Sequence, residues 1–277
     1  MIAALRTELR KVATTRTWWL TALVMFGYML VMGVIMAFSL VMGMRAAEEA
    51  GDPSAGTGGF GEAILDPLSI ATAVYTLAVA LGYIFPAILG ALSVTGEFRH
   101  QTITPTLLVE PRRSVVLGSK LVAILPFALV LAIAGVAGTV LGGAATLGIM
   151  GEPMLLGDST VQRTLLLSVV ALTLWALVGV GFGSVLTNQV AAIVVLLAFT
   201  QFVEPLLRLL LAQFDATEPI SKFLPGAAGE AIAGSSLYVS SGLADLLSSW
   251  QGALTLLGYA VVLVLIGRFT TFRRDIG

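Results

Sequence analysis

The chain has 277 residues, of which 57% are apolar and only 11% charged, with a mean hydropathy of +0.98. A water-soluble domain carries about 25% charged residues, so this composition excludes a soluble globule and leaves an integral membrane protein, for which 30 glycines are also typical. There is no cysteine, which removes disulfide scaffolds, thiol catalysis and thiolate-bound metals, and the single histidine, His100, supports neither a Ser-His-Asp triad nor a histidine metal centre.

In chain order, residues 2–16 place Ile2, Leu5, Leu9 and Val12 at helical spacing, with Arg6, Arg10 and Lys11 alongside. That pattern predicts an amphipathic interfacial helix within 1–17, lying along a leaflet; a frayed basic tail is the other reading. Six stretches then approach the roughly 20 apolar residues that a membrane-crossing helix needs: 18–43, 68–93, 115–149, 164–186, 190–212 and 251–267. The first opens on Trp18-Trp19, and its apolar run of about 26 residues exceeds a signal-peptide core, so it is expected to be retained. Asp66-Pro67 supplies an N-cap and a first-turn proline for the second. The third is too long for one straight crossing, which predicts a tilt or a break near Gly142-Gly143. Ser159 and Gln162 have capping-box spacing ahead of the fourth. Gly138 with Gly142, and Gly179 with Gly183, each spell GxxxG, a packing signal that is weak in so glycine-rich a chain.

Charge orients these spans. With the N-terminus inside, the cytoplasmic segments hold 11 of the 15 basic residues and four acids, while the outer segments hold the other four bases and 12 acids. Short loops keep Lys and Arg on the cytoplasmic side. The expected location is therefore the cell (inner or cytoplasmic) membrane, multi-pass, with both termini cytoplasmic.

The central portions of spans one, two, three, four and six carry no ionisable group, which argues against an ion-coupled carrier, an intramembrane protease and a charge-ringed pore. Span five differs. Glu204, Pro205 and Arg208 fall in its outer third, with the two charges at i, i+4 on one face. They read either as a self-neutralised pair near the headgroups or as a polar hinge at an outer gate. The outer segment 213–250 follows, with Pro219, Pro225-Gly226 and Gly229 among short apolar stretches. It predicts short re-entrant-like helices, tolerable only where protein buries them. In the inner loop 94–114, Thr104 can cap a helix starting at Pro105, and Glu110-Pro111 ends it, giving a short helix over 104–109. Its Leu107, Leu108 and Val109 form an apolar knob on a basic face, and such a knob calls for a partner. The expected fold is an all-α integral membrane protein, one transmembrane domain over 1–277 with six spans.

This loop resembles that of the ABC-2-type permeases, the membrane subunits of one class of ABC transporters. The shared pattern is an acid, a base, Thr, a Leu-Leu pair, Pro with bases and a Lys opening span three: here Glu97, Arg99, Thr102, Leu107-Leu108, Pro111-Arg112-Arg113 and Lys120. Gln101 stands where the family often has glycine, and Pro105 is an addition. The amphipathic N-terminal helix, six spans, long outer segment and basic tail from Arg268 to Asp275 extend the resemblance over nearly the whole chain. It implies the membrane-spanning subunit of an ATP-driven exporter, with no enzyme activity and no cofactor of its own. ATP and Mg would then belong to a separate ABC ATPase subunit, in two copies, docked on Glu97, Arg99, Thr102, Pro105, Leu107, Leu108, Pro111 and Arg112. The sequence indeed lacks a GxxxxGK[ST] phosphate loop. A second permease copy or a related permease would complete the pathway. Apolar walls suit amphipathic or lipid-like cargo within membrane lipid, with no nucleic acid, catalytic residue or metal site expected. A membrane scaffold or assembly factor without a transport cycle stays open, and so, less favoured by the uncharged midplane, does a membrane enzyme or carrier.

Overall fold

Long apolar runs broken by polar turns give a chain whose regular structure is helical throughout the described residues, which in the computed structural model are 2–51, 66–211, 213, 218–235 and 246–272. The helices are α1 (Ile2–Thr14), α2 (Thr17–Ala50), α3 (Pro67–Gly82), α4 (Ile84–Arg99), α5 (Ile103–Val109), α6 (Arg113–Ile149), α7 (Ser159–Val185), α8 (Gln189–Ala198), α9 (Glu204–Leu211), α10 (Glu218–Ser221), α11 (Pro225–Ala233) and α12 (Ser249–Phe269). A π-helical turn, Phe199–Val203, joins α8 to α9. Six continuous or near-continuous spans are long and apolar enough to cross a membrane: Thr17–Ala50, Pro67–Arg99, Arg113–Ile149, Ser159–Val185, Gln189–Leu211 and Ser249–Phe269. This is the architecture of a multi-pass membrane protein. Alternation of the spans gathers α1, α5 and residues 270–272 at one end of the bundle, and α10 and α11 at the opposite end.

The caps follow local chemistry. Asp66 accepts from the Ser69 amide at 3.3 Å, with Pro67 in the first turn, as expected. The start of α7 differs from expectation. Asp158, not Ser159, is the cap, accepting from the Thr160 and Val161 amides at 2.7 and 3.3 Å, while the Gln162 amide turns to the Leu156 carbonyl at 3.3 Å. A carboxylate beside the positive helix end out-competes a hydroxyl, and those amides hold the Asp158 carboxyl below its ordinary range.

Span three is not broken at Gly142-Gly143: α6 runs unbroken to Ile149, about 55 Å at 1.5 Å per residue. Its glycines serve close packing. A Cβ on Gly138 would lie 2.4 Å from the Phe26 carbonyl oxygen, and one on Gly142 would lie 2.1 Å from that of Leu30. Gly33 answers from α2, where a Cβ would meet the Thr139 carbonyl at 2.7 Å. The second GxxxG makes a matching seam between α7 and α4. There, added Cβ atoms on Gly179 and Gly183 would meet Ala87 and Ala91 carbonyls at 2.0 and 2.5 Å, and one on Gly90 would meet Ala176 at 2.0 Å. Backbones this close replace the hydrophobic drive that helices lack in lipid.

The break falls in span two instead. The helix interrupts at Tyr83, between α3 and α4, because Pro86 offers no amide to the Gly82 carbonyl four residues back. Span five has the same defect. Pro205 leaves the Gln201 carbonyl without its usual donor, and the chain widens into the π turn just before it. The two irregularities touch: the Tyr83 hydroxyl donates to the Thr200 carbonyl at 3.2 Å and accepts from Gln201 Nε2 at 2.9 Å. The Tyr83 ring also stacks on Trp175 of α7, with centroids 4.4 Å apart.

Candidate functional site

At the first end, the short loop helix forms one to two residues earlier than the sequence suggests. It begins at Ile103 rather than at Thr104–Pro105, so Pro105 lies inside the first turn, where its missing amide has no consequence. Thr102 leads into it without a side-chain cap; its own amide bonds back to the Glu97 carbonyl at 2.9 Å. Gln101, where the resemblance implies glycine, has φ 55°, the left-handed conformation that glycine adopts most easily. Glu110 is extended ahead of Pro111 and ends the helix as expected.

The leucine pair divides. Ile103 is buried and Leu107 packs against the core, whereas Leu108 is 78% and Val109 88% exposed. The outward knob is therefore Leu108-Val109. Pro111 and Arg112 beside it are exposed as well. Arg112 pairs with Glu110, Nε to Oε1 at 2.9 Å, and this neighbour holds the Glu110 carboxyl below its ordinary range. Arg99 is also outward and donates to Gln189 Oε1 at 3.0 Å.

Glu97 alone of the expected docking residues is buried, and it belongs to a ring of four charges. Lys120 Nζ lies 2.7 Å from Glu8 Oε2 and 2.9 Å from Glu97 Oε1, and donates to the Ser93 carbonyl at 3.0 Å. Lys11 Nζ closes the ring, 2.6 Å from Glu8 Oε1 and in contact with Glu97 Oε1, and reaches Thr106 Oγ1 of α5 at 3.1 Å. Two carboxylates thus alternate with two ammoniums, neutral in sum and drawn from α1, α4 and α6. Lys120's side chain is only 1% exposed. For Lys11, burial pulls the ammonium down, but the Glu8 and Glu97 carboxylates outweigh it and leave its pKa above the ordinary 10.5. One Glu97 oxygen, Oε2, is buried with no hydrogen-bond partner among the described residues. Hollows of about 470 and 420 Å3 flank the ring, the first bounded by Thr15, Ser93 and His100, the second by Ala4, Pro105 and Ser119.

Glu8 and Lys11 did not stand out as site residues. The available signal was Glu8 itself, the one acid in a basic N-terminal stretch. It makes the protein-facing side of α1 ionic at its centre: Glu8 is buried while Ile2 is 79% exposed.

At the opposite end, Glu204 and Arg208 meet at i, i+4 as expected, with Arg208 Nη2 2.8 Å from Glu204 Oε1, but they are buried and not a self-contained pair. Arg208 Nη1 also lies 2.9 Å from Glu230 Oε2 on α11. Glu204 Oε1 further accepts the Gly226 and Ala227 amides, at 2.7 and 3.1 Å, so the carboxylate holds the N-terminus of α11. Pro205 is half-buried, just past the π turn. Gly229 lets α11 approach Trp175, whose Nε1 a Cβ there would meet at 2.7 Å. Glu230 was missed; its signal was an acid inside the short apolar run Pro225–Ala233. Within the segment 213–250, expected on the outer side, the described residues form α10, the buried α11 and the start of α12; 214–217 and 236–245 lie outside the described residues, as do Arg273, Arg274 and Asp275 of the basic tail.

Neither end groups three or more His, Cys, Asp or Glu in a metal-holding cluster among the described residues. No protein-family model matches the chain, and no curated protein matches it.

Proposed function

We propose that this chain is the membrane-spanning subunit of an ATP-driven exporter of the ABC-2 type, working as a permease pair with two copies of a separate ATPase. The observation that carries the reading is α5: a short helix with Leu108 and Val109 turned outward, hung from a buried ionic ring that joins three other helices. Exposed apolar side chains on a basic face ask for a protein partner, since each large one gains roughly 1.5–3 kcal/mol on burial. A push on α5 would pass through Thr106 and Lys11 into Glu97 and Lys120, and so into spans two and three. At the other end, α11 would close the outer mouth of the path, seated by Glu204, Arg208 and Glu230. The kinks at Tyr83 and Phe199–Val203 supply the compliance for it to shift. Exposed apolar faces on spans one and five, among them Val24, Val31, Val194 and Phe202, would meet a second copy and lipid. Amphipathic or lipid-like cargo fits walls so poor in charge.

The test is copurification of the ATPase with the full chain and with Leu108→Asp/Val109→Asp. Stoichiometric ATPase on the parent and its loss from the variant are expected. A parent purified with no ATPase, or a variant that retains it in full, would refute the reading.

A further inference from the structure

Where α6 begins and α12 ends, Arg112, Arg113 and Arg268 border one hollow of about 570 Å3, with Ser114, Phe269 and Phe272 also in its wall. The two chain segments are more than 150 residues apart, and only the tertiary structure brings these arginines to one hollow. Arg112 is already engaged by Glu110. Arg113 and Arg268 have no acidic partner among the described residues; the Arg268 guanidinium sits 5.4 Å from the centre of the Phe269 ring. The hollow is thus anion-seeking, and guanidinium forks suit phosphate oxygens.

Its flank says which anion. Phe269 is exposed and continues an outward apolar stripe on α12 through Leu265 and Val262, at spacings of four and three residues. A soluble anion would leave that stripe unused, whereas a lipid would lay its acyl chains along it while the phosphate meets the arginines. We propose that this hollow binds the headgroup of an anionic phospholipid. The site does not depend on an ATPase partner, and an acidic protein segment is the competing occupant.

In the test, the full chain in non-ionic detergent is delipidated and titrated with dioleoyl phosphatidylglycerol or dioleoyl phosphatidylcholine, and bound lipid is counted by native mass spectrometry. A saturable phosphatidylglycerol site, preferred over phosphatidylcholine, is expected. Arg113→Gln/Arg268→Gln should weaken it roughly 25-fold, each arginine contributing a factor of about five. Arg6→Gln/Arg10→Gln, which removes two exposed charges of α1 at the same end, should change it by less than about twofold. Equal loss in both pairs would mean diffuse surface attraction and would overturn the proposal. So would undiminished lipid binding in the Arg113/Arg268 variant, the result expected if the hollow serves an acidic protein. Glycerol phosphate that displaces the lipid at equal concentration would show that the acyl flank is idle, and would overturn it too. If the glutamine pair fails to fold, Arg113→Lys/Arg268→Lys decides: partial weakening supports the guanidinium site, and none refutes it.

Discussion

Replacing Lys120 by Met separates a buried ionic ring from a loose surface arrangement of charges. Lys120 holds Glu8 at 2.7 Å, Glu97 at 2.9 Å and the Ser93 carbonyl at 3.0 Å, all out of water. Met keeps nearly the same volume, so no cavity term arises. What is lost is one of two ammoniums facing two carboxylates, and removing one partner of a buried pair costs about 3–5 kcal/mol. Glu8→Gln should cost less, roughly 1–3 kcal/mol, because Lys120 keeps Glu97 and the Ser93 carbonyl. The double variant leaves Lys11 against Glu97, one charge of each sign, and should be less damaged than the sum of the singles by about 1–3 kcal/mol. Denaturant titration in micelles, followed by fluorescence of the four tryptophans, measures all three. A Lys120→Met change under about 1 kcal/mol, or strict additivity in the double variant, would refute the ring as a unit.

The remaining predictions use the same bundle. Gly179→Ala, whose Cβ would lie 2.0 Å from the Ala87 carbonyl, should destabilise by about 1–3 kcal/mol in that titration; Gly258→Ala, with nothing near, should be neutral or slightly stabilising. Arg208→Gln removes the cation between Glu204 and Glu230 and should cost about 3–5 kcal/mol. It should also free α11, raising thiol labelling of a reporter Ala228→Cys from the near-zero rate that its burial predicts; unchanged labelling would show that α11 is seated by packing alone. For Lys11 the folded pKa lies above the ordinary 10.5, so its stabilisation of α1 is complete below pH 10.5 and is lost as pH rises through the folded value. A spin-label distance between Arg10→Cys and Thr104→Cys should hold steady up to that pH and broaden above it; broadening that starts below about pH 9 would contradict the assignment.

Much of this molecule was legible in the sequence because the signals are local. Apolar run length placed the six spans, Asp66-Pro67 marked a helix start, and Glu110-Pro111 ended the loop helix where proline geometry requires. The i, i+4 spacing of Glu204 and Arg208 correctly put them on one face. Other features needed partners that no local pattern names. Pro205 pointed to a hinge in span five, the break ahead of Pro86 in span two was not anticipated, and only the fold sets Tyr83 between the two kinks. The GxxxG pairs became meaningful only when Gly33 and Gly90 were found opposite them. Of the adjacent leucines in α5, packing against the core chose Leu107 and left Leu108 outside. Glu8 meets Lys120 across 112 positions, and Glu230 meets Arg208 across 22. The physical reason is common to all of these. In lipid a span is specified by its own apolarity, whereas its neighbours are chosen by close backbone approach and by the need of each buried charge for an opposite one. Those choices belong to pairs of helices, so they are settled only when the helices meet.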